Sequence, residues 1–559
     1  MVLNIFITLS GQEADYRLEW AITAQQRSQT MDNPQGKKSF LTGALVLTGA
    51  NLFSQVLGLF SKLAIFWLLG EEGVGIYNYP YALFAILLSF SSVGFNVAIS
   101  KLIAERIPQG KLEEALHIFY CSLRLMIIFG FLATTILVII AWPLAIFVHK
   151  DPRAIFAYIA LAPAALLSSW QAAYRGFFQG NQNMYPNALS QIVEQVFRIL
   201  AMLGLAALLL PYGLEWGAAG AVLGAAAGAI GSYFFLRFLF HRAQTIYPWN
   251  RVKNSLSSLT PSRSKLLIKE ILTYAIPIGF AGIGLPLFLL ADSLIITNRL
   301  QAIGMELSLA TAAYGALANN AMSLVSLPTV LSSSLFVSLV PAIAEAKTHA
   351  NQKLILSQAR SGIKVTLLFA LPAAAGMYMI ADPFCSFIGM GGQTAPALRT
   401  LTFGLPFLVL QQVSSGILQG LSKAREPVYN MFMGAIIKAA ISWLSIPIWG
   451  IAGAAWGTNI GFAYAALSNL HLLFKELGSV INWSKTIIKP ILAIAIMCTC
   501  ILLWQIYGPQ DLIIAWQLLA EISIGVCAYL SSLAILPVLT DEDLDFLPLG
   551  RKLARIFVH

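Results

Sequence analysis

Charge is what this sequence has least of. Asp, Glu, Lys and Arg make up 11% of its 559 residues, where a soluble domain carries roughly 25%. So little charge cannot solvate a globular surface of this size. That excludes an ordinary water-soluble protein and leaves lipid as the solvent for most of the chain. Cysteine is also scarce: Cys121, Cys385, Cys498, Cys500 and Cys527 include no pair at the spacing of a zinc or redox site, and read as small apolar fillers. The histidines (His117, His149, His241, His349, His471 and His559) lie between apolar runs or near their ends and form no ligand pair. There is no phosphate-cradling glycine loop and no nucleophile elbow. The longest stretch between apolar runs, 238–268, is too short for the outer domain a membrane glycan polymerase or ligase needs. We expect no catalytic residues, no cofactor and no metal.

What the sequence has in abundance is apolar length. Hydrophobic residues are 58% of the chain, and runs of about 20 can cross a bilayer as helices. They fall near 40–69, 77–101, 114–141, 153–174, 186–210, 215–237, 269–297, 311–341, 357–381, 395–421, 427–448, 451–474, 486–507 and 512–537. This predicts an all-α polytopic membrane protein of about 14 transmembrane helices. The net charge of +10 sits in alternate connections. With the N-terminus inside, 25 Lys and Arg fall on the inner side, against Lys150, Arg153, Arg299 and Arg399 outside. Such an alternation predicts an even number of spans with both termini cytoplasmic. It also accounts for the basicity without nucleic acid. Residues 1–30 lack the basic start of a secretory signal. Either translation starts at Met31 or this stretch is a loose tail.

The chain repeats itself. WGAAGAVLG at 216–224 recurs as WGIAGAAWG at 449–457, Gly176–Gly180 as Gly416–Gly420, and Ile103-Ala104-Glu105 as Ile343-Ala344-Glu345. Six spans separate the copies, so they share one orientation, as two parallel lobes related by an axis along the membrane normal. The expected domains are a polar tail 1–36, a first lobe 37–240, a basic cytoplasmic linker 241–268, a second lobe 269–475, two further helices in 476–540 and a cytoplasmic tail 541–559.

Ionisable residues inside a membrane are costly and commonly functional. Those present are Lys62, Arg124, Glu194, Arg198, Asp292, Lys438 and Glu521. Glu194 and Arg198 are four apart and can pair along one helix face, as a structural pair or as part of a site. Lys438 and Arg198 each lie 18 residues past a matched glycine, Gly420 and Gly180, which puts them at one repeat-equivalent depth. Lys62 follows the amide stripe of Asn51 and Gln55, and either lines a polar path or snorkels to the interface. Asp292 and Glu194 are candidate coupling or structural acids, and Glu521 suits interhelical packing. Gly220, Gly224 and Gly228 form a close-packing stripe. Pro277, Gly282 and Pro286 mark a bend that is either a gate or a static kink.

Two segments carry a resemblance. LGEEGVGIYNYPYALFAILLSFSSVGFNVAISKLIAER (69–106) and RGFFQGNQNMYPNALSQIVEQVFR (175–198) resemble the stage V sporulation protein B branch of the polysaccharide biosynthesis proteins. That branch belongs to the multidrug/oligosaccharidyl-lipid/polysaccharide exporter superfamily, which includes the MurJ-type flippases. The resemblance covers residues 31–559. It implies a MATE/MurJ-like fold of two parallel six-helix lobes plus two C-terminal helices. It also implies flipping of undecaprenyl-pyrophosphate-linked glycans, such as peptidoglycan precursors, across the bacterial cytoplasmic membrane. MurJ-type proteins line their cavity with arginines from a segment resembling FSRVLGFARD. Here both arginine positions are changed, to Gln55 and Ser61, and Lys62 supplies a cation beside them. A pyrophosphate suits cations, so the expected head-group contacts are Lys62, Arg198 and Lys438, with Gln55, Asn51 and Arg124 around them. The expected partners are the lipid-linked glycan, membrane lipid and cell-wall synthesis proteins. The rival expectations are a cation-coupled multidrug exporter of the same fold and a non-transporting scaffold of a wall-synthesis complex.

Overall fold

A computed structural model of the protein describes residues 34–246, 261–390, 392–509 and 513–536. The proposed start at Met31, part of the linker and the C-terminal tail lie outside them. Among the described residues there is no strand. Lipid offers the backbone no hydrogen bonds, so each apolar run satisfies its own N–H and C=O groups as a helix.

The first lobe begins with α1 (Pro34–Leu88), which breaks at Gly70, where φ is 67°. Its second limb continues through a π segment (Ser89–Gly94) into α2 (Phe95–Arg106). Then come α3 (Leu112–Pro143), α4 (Ala154–Gly180), α5 (Tyr185–Leu209) and α6 (Leu214–Ile246). The second lobe opens with α7 (Pro261–Gly282) and α8 (Gly284–Ala302), bent by 53° at their junction. It continues through α9 (Leu307–Gly315), a π segment (Ala316–Ala321), α10 (Met322–Val325), α11 (Thr329–Thr348) and α12 (Gln352–Met379). Next are α13 (Ala381–Ile388), α14 (Thr394–Thr402), α15 (Leu405–Gly420), α16 (Arg425–Trp449) and α17 (Ile451–Leu477). The last pair is α18 (Lys489–Tyr507) and α19 (Ile514–Ile535). By length and hydropathy alone, the described residues hold nine helices able to cross a membrane, or up to 11 if each bent pair counts as one span. One of the nine, 53–106, is 54 residues long and is kinked at Gly70.

The sequence repeat is a structural repeat. A Cβ added to Gly180 would lie 2.8 Å from Ile103 Cβ and 2.9 Å from Ser100 O. One added to Gly420 would lie 2.8 Å from Ile343 Cβ and 3.0 Å from Val340 O. A Cβ on Gly228 would meet Glu194 O at 2.7 Å and Arg198 Cβ at 2.9 Å, and one on Gly461 would meet Gly434 O at 2.7 Å and Lys438 Cβ at 3.0 Å. Arg198 and Lys438 therefore occupy equivalent sites on equivalent helices. Small residues let the helices of each lobe approach to backbone contact.

The lobes are joined differently at their two ends. At the Gly70 end they are sealed. Trp67 Nε1 donates to Ile388 O at 2.7 Å, Thr394 Oγ1 to Glu71 at 2.8 Å, and Asn320 Nδ2 to Thr394 Oγ1 at 3.0 Å. Tyr79 OH reaches Thr297 and Thr311 at 3.0 and 3.1 Å, and its ring stacks between those of His149 and Tyr314. Gly75 and Gly315 lie directly against the backbone across the seam, with no room for a Cβ. Beside the seal, Arg153 binds Asp151 at 2.8 Å and Glu72 at 2.7 Å. Its hydrogen bonds to Asp151, reinforced by Glu72, hold the guanidinium above its usual range. These partners explain why 70–76, which reads as a loop in sequence, is helical: Glu71 and Glu72 find donors inside the protein rather than in water.

At the Arg106 end the substantial packing between lobes is made by α7, which leans on the first lobe. Arg106 binds Glu270 at 2.6 Å, Arg263 binds Glu114 at 2.9 Å, and Lys101 sits 3.7 Å over the Tyr274 ring. Ser89 Oγ donates to Gly282 O at 3.2 Å. The bend itself falls at Ile283, between Gly282 and Gly284. Pro277 lies within α7 without interrupting it, and Pro286 sits in the first turn of α8.

Candidate functional site

On the first limb of α1, Phe53, Val56, Phe60 and Trp67 are exposed along one apolar face. Gln55 and Lys62 are also exposed, but seven residues apart they share the opposite face at 3.6 residues per turn. Asn51 sits one turn before Gln55. This polar face turns toward α5, where Gly58 packs against Gln195. Lys62 is exposed, and Tyr81 and Arg198 are partly exposed, which makes this face of α1 and α5 the candidate wall of a polar path. Near it, Asn319 Nδ2 donates to Lys62 O at 3.4 Å.

Behind this wall the charges are wired together. Arg198 Nη2 forms a close ion pair with Glu194 Oε1. Arg175 Nη2 donates to Glu194 Oε2 at 2.8 Å and to Ser232 Oγ at 3.2 Å, and its Nε donates to Ser190 Oγ at 3.2 Å. One carboxylate thus holds two guanidiniums, from α4 and α5, and Ser232 of α6 joins the cluster. Arg198 remains 33% exposed along its side chain, and its Nε has no partner. Lys62 forms no side-chain hydrogen bond or ion pair among the described residues. The first-lobe wall therefore carries Lys62, Arg175 and Arg198 against Glu194 alone.

Lys438 is placed otherwise. It is 1% exposed, its Nζ lies 2.6 Å from Asp292 Oδ2 and 2.8 Å from Phe288 O, and it sits inside the second lobe between α8 and α16. A cation held this way cannot turn to a ligand without leaving a buried carboxylate unpaired, at a cost of several kcal/mol. Its place is in the framework rather than at this wall, and Asp292 is engaged with it. Arg124 is not brought to the cluster either. It shares an exposed, largely apolar stripe of α3 with Ile128, Phe131 and Ile139. Arg175, which in sequence counts only as a loop cation, is the residue the spacing did not reveal. Its signal was position: it directly precedes the GFFQG motif, inside α4. Glu521 is buried on α19, with Gln505 of α18 beside it, away from this wall.

A model of the family described as polysaccharide biosynthesis protein matches residues 40–347, more than half of the chain. The chain belongs to the polysaccharide biosynthesis protein family. A MatE model also matches residues 294–444 of this family member. Stage V sporulation protein B of Bacillus subtilis is 27% identical over 93% of this chain and 100% of its own length. Lipid II flippase MurJ of the same organism is 26% identical over 78% of this chain and 83% of its own. Among solved structures, a lipid II flippase MurJ in an inward closed conformation covers 88% of this chain and 98% of its own, at a TM-score of 0.64 and 16% identity. An inward-facing MATE family multidrug resistance transporter of the MOP superfamily covers 76% of this chain and 95% of its own, at a TM-score of 0.62 and 17% identity. These likenesses fix the fold as a multi-pass helical membrane protein of the MurJ/MATE type.

Proposed function

We propose that this polysaccharide biosynthesis protein flips a lipid-linked glycan with an anionic head, such as an undecaprenyl-pyrophosphate glycan, across a bacterial cytoplasmic membrane by alternating access. The observation that carries this reading is an exposed, unpartnered Lys62 on the face of α1 that turns toward α5, the helix that bears the partly exposed Arg198. Such donors bind phosphate oxygens strongly. A cavity with polar walls removes most of the cost of taking a charged head through hydrocarbon. The names and likeness of the relatives, a lipid II flippase among them, support the same class of cargo.

In this reading the chain crosses the membrane fourteen times, the Arg106 end faces the cytoplasm with both termini, and the sealed Gly70 end faces outward. The Gly282–Gly284 bend lets α7 exchange its contacts with the first lobe as the lobes rock. The polyprenyl tail stays in lipid while the head crosses. Gln55 extends the polar path beside Lys62.

The direct test is a leaflet-accessibility assay in proteoliposomes with a short-chain polyprenyl-pyrophosphate glycan. Lys62→Ala is expected to abolish flipping while insertion and thermal stability are kept. Flipping at the unmodified rate would remove Lys62 from the site. A cation-coupled drug exporter would need a free acid on the wall, whereas Asp292 and Glu194 are both paired with cations.

A further inference from the structure

The second lobe holds a cavity of about 370 Å³ at the bend between α7 and α8, closed by α15 and α16. Gln411, Gln412, Ser415 and Gln419 supply its polar lining, and Leu285 and Met431 part of its apolar lining. No ionisable side chain lines it. Gln411 Nε2 donates to Ser415 Oγ at 3.1 Å, Ser415 Oγ also accepts Asn469 Nδ2 at 3.1 Å, and Ser332 Oγ donates to Gln412 Oε1. These bonds fix the amides and leave Gln411 Oε1 and Gln412 Nε2 without a protein partner among the described residues.

We propose that this cavity is a sugar subsite, taking a neutral pyranose ring of the cargo while the first-lobe wall holds the anion. The proposal rests on the lipid-linked glycan function proposed above. A phosphate would bring charge into a cavity with no cation to meet it. A pyranose carries hydroxyls that need donors and acceptors together, and an amide offers both in one plane. Its C–H face suits the apolar side of the lining. The repeat supplies an independent contrast. By the 240-residue offset that relates Gly180 to Gly420, Ser415 stands where Arg175 stands in the first lobe. The same place in the two lobes thus carries charge on one side and neutral hydrogen-bonding groups on the other. The size also fits, since sites for small ligands occupy about 300–1,000 Å³. Ala281 and Gly282 wall the cavity, and Gly282 O accepts from Ser89 of the first lobe, so a sugar there contacts the element that bridges the lobes.

The test uses the full chain in lipid nanodiscs and two probes: a short-chain prenyl pyrophosphate, and the same lipid bearing one N-acetylated hexosamine. The sugar is expected to tighten binding to the unmodified protein about tenfold, or about 1.4 kcal/mol. Gln411→Leu and Gln412→Leu remove most of that increment and leave the Kd of the sugar-free probe unchanged. Lys62→Ala weakens both probes by the same factor. Gln419→Ala, at an exposed side chain, replaces a leucine variant that does not fold. A wild-type protein that gains nothing from the sugar, or glutamine variants that keep the full increment, would overturn the subsite while leaving the anion wall standing. Failure of the unmodified protein to bind either probe would overturn the flippase function and the subsite together.

Discussion

Arg198 and Lys438 are the same feature built twice. Each is a cation on a repeat-equivalent helix, Arg198 on α5 and Lys438 on α16, with its Cβ against a matched glycine, Gly228 or Gly461. Yet one is partly exposed, and the other is closed into a buried ion pair. The difference lies in the acid. Glu194 comes from the same helix as Arg198 and is shared with Arg175, so it leaves the first lobe positive. Asp292 comes from α8, meets Lys438 head-on and leaves the second lobe neutral. In the function proposed above, two lobes of one backbone plan divide the work: one presents charge to a cargo, and the other uses its charge to hold α8 against α16.

The sharpest way to break this comparison is to remove each cation in turn. Lys438→Ala strands Asp292 in the second lobe and is expected to cost about 3–5 kcal/mol, read as a large fall in Tm in detergent. Pairing Lys438→Met with Asp292→Leu is expected to restore stability to within about 1 kcal/mol and to keep flipping. Arg198→Ala leaves Glu194 its bond to Arg175, so its stability loss is expected near 1 kcal/mol, with the larger effect on transport. Equal losses of Tm for the two alanine variants would erase the distinction between the lobes.

Transport carries the next effect. Lys62→Ala is expected to cut anion affinity at least about tenfold, about 1.4 kcal/mol, at unchanged Tm. Lys62→Arg keeps most of the affinity because the charge stays. Titration with a prenyl pyrophosphate in nanodiscs checks both. If Lys438→Met/Asp292→Leu reduced affinity as much as Lys62→Ala does, the second lobe would belong to the anion site after all.

Much of this was legible in the sequence, for physical reasons. Apolar length and alternating Lys and Arg reveal a helical membrane bundle because lipid permits little else. The repeat was readable because close-packing glycines such as Gly180 and Gly420 tolerate no drift. The 18-residue spacing from these glycines placed Arg198 and Lys438 at one depth, and the helix period paired Glu194 with Arg198. What spacing could not show was contact between distant parts of the chain. Asp292 lies 146 residues from Lys438, and nothing in sequence separates a free cation from one capped by an acid on another helix. Arg175 was hidden for the opposite reason: it sits near the end of α4, where cations ordinarily belong to a loop. The helical turn at 70–76 was obscured because Glu71 and Glu72 suggest water until Thr394 and Arg153 are seen beside them.

The glycine seams test the symmetry of the plan rather than its division. Gly228→Ala and Gly461→Ala each drive a methyl toward a carbonyl at 2.7 Å, and overpacking of this kind costs about 1–3 kcal/mol. The two losses of Tm are expected to be alike, since the backbones are alike and only the charges differ. A loss confined to one lobe would mean that the matched packing does not carry matched stability.

The smallest effect is expected at the cation outside both lobes' interiors. Arg124 lies 12 residues into α3 from Leu112, about 18 Å along the helix at about 1.5 Å per residue. It shares its stripe with Ile128, Phe131 and Ile139. From there its long side chain can reach back along the helix toward the interface with its stem in lipid. Arg124→Leu is therefore expected to change Tm by no more than about 0.5 kcal/mol-equivalent, and to leave both flipping and anion affinity unaltered. A loss of affinity like that of Lys62→Ala would extend the positive wall around to α3. The first lobe would then bind its cargo on two sides, and the contrast with the second lobe would be one of shape as well as charge.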